Sequence, residues 1–173
     1  MIILLLTGIH AGALPSEISE FSERLTNRMQ KSVKIIWLVL SVGFFLASLT
    51  QKSFCTTRCG DSILTLLTGW MGIAYLDYAA LPWLANPAIL LAWIFFWKKP
   101  LPAIGFSLLS TGLAASFLLL NTIVDNEGDV RRVITKLETG YWLWLSAHIS
   151  FLIGCAVELL ALKLHYRSKN TLK

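Results

Sequence analysis

Three long apolar runs, Ile35–Leu49, Leu101–Leu120 and Tyr141–Leu162, with a fourth ending at Trp97, restrict this chain's fold more than any other feature. A helix of roughly 20 residues crosses a hydrocarbon core of about 30 Å. Inside that core every backbone N–H and C=O must find its partner within the protein, which a helix achieves and irregular chain does not. With 55% hydrophobic and 14% charged residues among 173, no sizeable soluble domain fits beside those runs. The expected fold is an all-α membrane protein. It is a four-transmembrane-helix bundle over 35–162, with an N-terminal segment 1–34 and a basic tail 163–173.

The basic residues orient the spans. They gather before the first run (Arg24, Arg28, Lys31, Lys34), at Lys98 and Lys99, and in the tail (Lys163, Arg167, Lys169, Lys173). Short cytoplasmic segments carry the excess of Lys and Arg, so four spans put all three clusters and both termini inside. The loops Gln51–Ser62 and Asn121–Thr139 then face outward. The second balances Arg131, Arg132 and Lys136 with Asp125, Glu127, Asp129 and Glu138. The net charge of +5 is therefore membrane-topology charge, and the tail's simplest partner is the anionic lipid bilayer. A nucleic-acid surface needs a basic face on a folded domain, which this pattern excludes.

Ile63–Trp97 is too long for one ordinary span and marginal for two. A complete span at Ile63–Tyr78 would put Lys98, Lys99 and the tail outside, against the charge distribution. Ile63–Leu76 is therefore expected as an interfacial or re-entrant helix between spans one and two. It would hold Trp70, Tyr75 and Tyr78 at headgroup level, where amphipathic rings are favoured. Span two then runs from about Leu81 to Trp97, and Asn86–Pro87 reads as a helix entry, with Asn as cap. In the N-terminal segment, Pro15-Ser16-Glu17 reads as a helix start. Acids precede bases there, and Ile18, Phe21, Leu25 and Met29 fall on one stripe, as in an amphipathic helix. A start at Met29 fits the pattern equally well. Met1–Leu14 is apolar but lacks the basic n-region of a signal peptide.

Cys55 and Cys59 lie in the first outward loop as Cys-Thr-Thr-Arg-Cys. Two readings apply: a redox pair with Arg58 favouring a thiolate, or a structural clip or unpaired thiols on a short loop. In size, span count and the position of this pair, the chain is similar to bacterial inner-membrane disulfide-forming quinone reductases. That resemblance implies a membrane thiol-disulfide oxidoreductase with quinone as cofactor and Cys55 and Cys59 as the pair. Two departures oppose it: three residues lie between the cysteines where that family has two, and Asn121–Thr139 holds no second pair.

Span four carries His148, Cys155 and Glu158 broadly on one face at 100° per residue. Ionisable groups in a membrane are candidates for function, here a proton path or metal site. The structural alternative is an interhelical hydrogen bond from His148 and an interfacial Glu158. No second ligand cluster appears in the other spans, so no metal centre is expected. The small residues Gly105, Ser107, Ser110, Gly112, Ala114, Ala115 and Ser116 of span three suit internal packing or the seam of a homo-oligomer.

On the outward side lie Gly69-Trp70-Met71-Gly72, Asp77, Trp83-Leu84-Ala85-Asn86-Pro87 and Gly140-Tyr141-Trp142-Leu143-Trp144. Trp70, Asp77, Trp83, Asn86, Tyr141 and Trp144 are the candidate binding surface; the structural alternative is an aromatic belt. These segments resemble those of a group of small uncharacterised four-span bacterial inner-membrane proteins, over roughly Ile35 to Leu162. The resemblance implies the bundle and the inner membrane, and no activity. Phosphate-cradling, zinc-protease and nucleophile-elbow motifs are missing from the sequence. The leading expectation is a non-enzymatic accessory protein, without cofactor, that binds another membrane protein or intercepts something in the outer leaflet, as an immunity-type protein would. The thiol–quinone enzyme and an oligomeric small transporter or channel are the alternatives.

Overall fold

The computed structural model of the chain describes residues 14–74, 78–124 and 131–171. Its compact units divide at Ile35/Ile36.

Among the described residues four helices are long and apolar enough to cross a membrane: Arg28–Leu49, Tyr78–Phe95, Pro100–Leu119 and Thr139–Leu164. The first is the end of α1 (Leu14–Leu49), which starts beside Pro15, as expected. The second joins a 3-10 helix (Tyr78–Leu84) to α3 (Ala85–Phe95). The third is α4 (Pro100–Ser116) with a closing 3-10 turn (Phe117–Leu119), and the fourth lies in α5 (Thr139–Thr171). Pro100 and Pro102 begin α4 where their missing N–H groups have no helical partner to lose. Between the first two spans lies α2 (Ser62–Ala74), in the place expected for an interfacial or re-entrant helix.

The helices pack through small residues and present bulky ones outward. Ala92, Ala103, Ala114 and Ala147 are fully buried, as are Ser41, Ser107 and Ser110. A Cβ on Gly154 would lie 2.6 Å from Trp37 Cβ, so the α1–α5 contact depends on that glycine. Ser41 ties three helices: its Oγ donates to Ala147 O at 2.8 Å and accepts from Trp93 Nε1 at 3.2 Å. Such close, small-residue seams are how helices associate where lipid removes the hydrophobic drive. Ser107, Ser110 and Ala114 serve this internal seam, whereas Gly105 and Gly112 face outward. The outer faces are apolar: Val39 is 63% exposed, Ile94 67%, Leu108 56% and Leu160 58%. A belt of this extent suits lipid, not water.

The all-α expectation needs one correction. The connecting loops form two small sheets, one with β1 (Lys52–Cys55) between β2 (Cys59–Asp61) and β5 (Lys136–Leu137), the other with β3 (Thr122–Val124) beside β4 (Arg131–Val133). Phe54 pairs with Leu137 and Cys55 with Lys136, so the second loop zips onto the first. Thr135 N donates to Cys55 O and Glu138 N to Ser53 O, both at 2.9 Å. The two loops therefore share one end of the bundle, as a four-span count requires. The turn at Lys98 and Lys99, between α3 and α4, lies at the other end. Helix α2 follows β2 directly, and Arg131 on β4 donates to the Tyr78 hydroxyl, so the chain enters and leaves the α2 region at the loop end.

Candidate functional site

The loop end holds a wide cleft of about 1670 Å³, bordered by the β1–β2 hairpin, α2, the 3-10 helix and the start of α5. Its inner wall is a chain of hydrogen bonds through Asn86. Trp144 Nε1 donates to Asn86 Oδ1 at 2.8 Å, Asn86 Nδ2 donates to Trp83 O at 3.0 Å, and Trp83 Nε1 donates to Leu66 O at 2.8 Å. An indole N–H only donates and a backbone C=O only accepts, so these partners dictate which way the Asn86 amide points. The network joins α5, α3, the 3-10 helix and α2 through one side chain that is 7% exposed.

This corrects the reading of Asn86 as a helix cap. Helix α3 begins at Ala85, its cap position is Leu84, and no side chain caps it. Asn86 already sits inside the first turn, and its amide is committed to the two tryptophans. Pro87 does occupy that first turn, as expected.

Trp83 reaches α2 because Gly69 leaves room. A Cβ there would lie 3.0 Å from Trp83 Cγ and closer still to Cδ1, and one on Gly72 would lie 2.7 Å from Ala80 Cβ. The Gly69/Gly72 pair is thus a flat track on which the 3-10 helix docks. Tyr141 is 4% exposed; its hydroxyl donates to Ala114 O at 3.1 Å, and its ring lies 5.3 Å from Phe117. Trp83, Asn86, Tyr141 and Trp144 all line the cleft. Trp70 does not: it is 53% exposed and donates to Leu67 O on its own helix. Asp77, with Tyr75, lies outside the described residues.

Over the cleft, Cys55 and Cys59 form a disulfide, with Cα atoms 3.9 Å apart, across the β1–β2 hairpin. The two sulfurs differ in surroundings. Cys55 is 8% exposed and its Sγ lies 3.5 Å from Glu138 Oε1, whereas Cys59 is exposed. Glu138 precedes α5 directly and also pairs with Lys136 Nζ at 2.8 Å. Both sulfurs and a Glu138 oxygen fall within 4.8 Å of one another, but sulfurs bonded to each other leave the carboxylate as the ligand on offer. Arg58 is exposed at the hairpin tip, where its carbonyl accepts from Thr56 N at 3.0 Å. The sequence reading missed Glu138; its position just before the Thr139-Gly140 start of α5 was the available signal.

His148, Cys155 and Glu158 are buried at 0%, 3% and 2% exposure on one face of α5, as their spacing predicted. Cys155 and Glu158 lie one helical turn apart, but His148 does not join them. Ten residues separate His148 from Glu158, about 15 Å of helix, and Phe151, fully buried against Phe96, fills the face between them. His148 packs edge-on to Trp144 at 4.8 Å, and among the described residues neither of its ring nitrogens has a hydrogen-bond partner.

Compared with protein-family models, with curated proteins and with solved structures, the chain matches none.

Proposed function

We propose that this is a non-enzymatic binding protein of the membrane, which holds a membrane-borne partner in the cleft at its loop end. The observation that carries this reading is the cleft itself. It is walled by Trp83, Asn86, Tyr141 and Trp144 and stands under a disulfide-clipped hairpin. The polar groups of these four wall residues are all engaged in hydrogen bonds within the protein, which suits a rigid binding wall. The loop end faces the outside of a bacterial inner membrane, and both termini are cytoplasmic. Lys98 and Lys99 at the opposite end support that orientation, and the tail adds to it. Interception of a toxic agent in the outer leaflet, as by an immunity-type protein, is one concrete form of this role.

The test is photocrosslinking from an engineered residue at Thr68, which lines the cleft, against one at Ile94 on the lipid-facing side of α3. The reading expects a discrete adduct at Thr68 that weakens with Asn86→Ala. The same unspecific lipid adducts from both positions would contradict it.

A further inference from the structure

The disulfide clips one loop to itself, but the cluster around it draws on both loops. Cys55 ends β1, Cys59 begins β2, and Glu138 stands between β5 and α5. Their ligand atoms, two sulfurs and a carboxylate oxygen, all lie within 4.8 Å of one another. The backbone that gathers them has its own bonds. Cys55 pairs with Cys59 on one side and with Lys136 on the other, Thr135 N donates to Cys55 O, and Glu138 N donates to Ser53 O. Opening the disulfide therefore leaves two thiols and a carboxylate on a sheet that still holds them side by side.

Two thiolates and a carboxylate are the donor set of a thiophilic divalent cation such as zinc, with a fourth position left open. The spacing agrees. Bonds of about 2.3 Å to sulfur and about 2.0 Å to oxygen, at a tetrahedral angle, put those two atoms about 3.5 Å apart. Cys55 Sγ lies 3.5 Å from Glu138 Oε1. By the same geometry two thiolates on one ion stand about 3.8 Å apart. The Cys55 and Cys59 Cα atoms, 3.9 Å apart, allow that once the sulfurs are unbonded. Exposed Cys59 gives the ion its way in. Lys136, which holds Glu138 at 2.8 Å, is 68% exposed and can swing into solvent, where its charge offsets the single negative charge of the loaded site.

We propose that the reduced chain binds a thiophilic divalent cation through Cys55, Cys59 and Glu138. A dithiol opens the disulfide and closes to its own, passing two electrons and two protons to Cys55 and Cys59; the cation then displaces both protons. A clip within the first loop is thereby exchanged for a tie between the two loops. The site does not depend on what the cleft binds.

The experiment titrates cobalt(II) into the full chain in detergent micelles, with Cys155→Ser, after reduction by a phosphine and its removal under anaerobic conditions. Cobalt bound by thiolates shows sulfur-to-metal charge transfer, which carboxylate and imidazole sites lack. The expected result is charge transfer that saturates at one cobalt per chain and is bleached by zinc. The disulfide-intact chain and Cys55→Ser/Cys59→Ser should show none. Glu138→Gln keeps the side chain's shape and the backbone bond to Ser53, and should weaken binding by at least about tenfold, no less than losing a group behind a ligand costs. Lys136→Gln removes a competitor for the carboxylate and should not weaken it. No charge transfer in the reduced chain, or its persistence without both cysteines, would overturn the site. Equal affinity in Glu138→Gln, with circular dichroism matching the reduced parent, would overturn it too, by leaving a pair of cysteines in place of a tie between loops.

Discussion

Asn86→Ala should cost this protein more than its small volume suggests. The amide makes two hydrogen bonds, at 2.8 and 3.0 Å, and serves partners on two other elements. Its loss strands the Trp144 N–H and leaves the Trp83 carbonyl short of one donor. An unsatisfied group in a dry interior costs about 1–3 kcal/mol. Both tryptophans are only half-buried and border the cleft, so water recovers part of that cost. Interhelical hydrogen bonds in membrane proteins average about 0.6 kcal/mol by double-mutant cycles. The expected destabilisation is therefore about 1–2 kcal/mol. The coupling with Trp144→Phe, which deletes the donor but keeps an aromatic ring, should be about 0.6 kcal/mol. Both follow from reversible unfolding of the purified protein in mixed detergent micelles, monitored by circular dichroism. Strict additivity of the two substitutions would refute the claim that Asn86 and Trp144 act through one bond.

Three further outcomes follow from the packing. Gly154→Leu drives a side chain into Trp37 and should destabilise the protein by about 2 kcal/mol or more in the same unfolding measurement; an unchanged midpoint would contradict the α1–α5 contact. Gly69→Val should displace the Trp83 indole from Leu66, lower stability by about 1–3 kcal/mol and shift tryptophan emission to the red; unchanged emission would mean that Trp83 does not lie on Gly69. In reduced protein, Cys59 should alkylate about tenfold faster than Cys55, because it is exposed while Cys55 is buried against Glu138; equal rates in the two single-cysteine variants would contradict that asymmetry.

How legible the fold was depended on how local each signal is. The spans announce themselves through runs of apolar residues, and the charge rule selected the arrangement that leaves α2 out of the count of spans. The sheets gave no such sign. Lys52–Cys55 and Lys136–Leu137 are too short for a strand pattern, and their pairing joins segments some eighty residues apart. Asn86 shows a local rule overridden from a distance: Asn before Pro favours a cap, but Trp144, 58 residues on, claims the amide. The aromatic residues of the loop end were visible as a group, yet not which of them meet. Trp83 turns into the cleft because two glycines make room, while Trp70, one residue from Gly69, faces out. Glu138 read as one acid among four in a balanced loop, and its neighbour Cys55 comes from the other loop.

The proposed orientation puts the two paired loops, with their intact disulfide, on the outer side of the membrane. Alkylation of intact cells with a membrane-impermeant maleimide, in a Cys155→Ser background, tests this directly. Cys55 and Cys59 should label only after reduction. A cysteine introduced by Lys98→Cys, with Cys55 and Cys59 replaced by serine, should label only after the cells are permeabilised. Labelling of Lys98→Cys in intact cells, or failure of Cys55 and Cys59 to label after reduction, would contradict the arrangement on which the cleft depends.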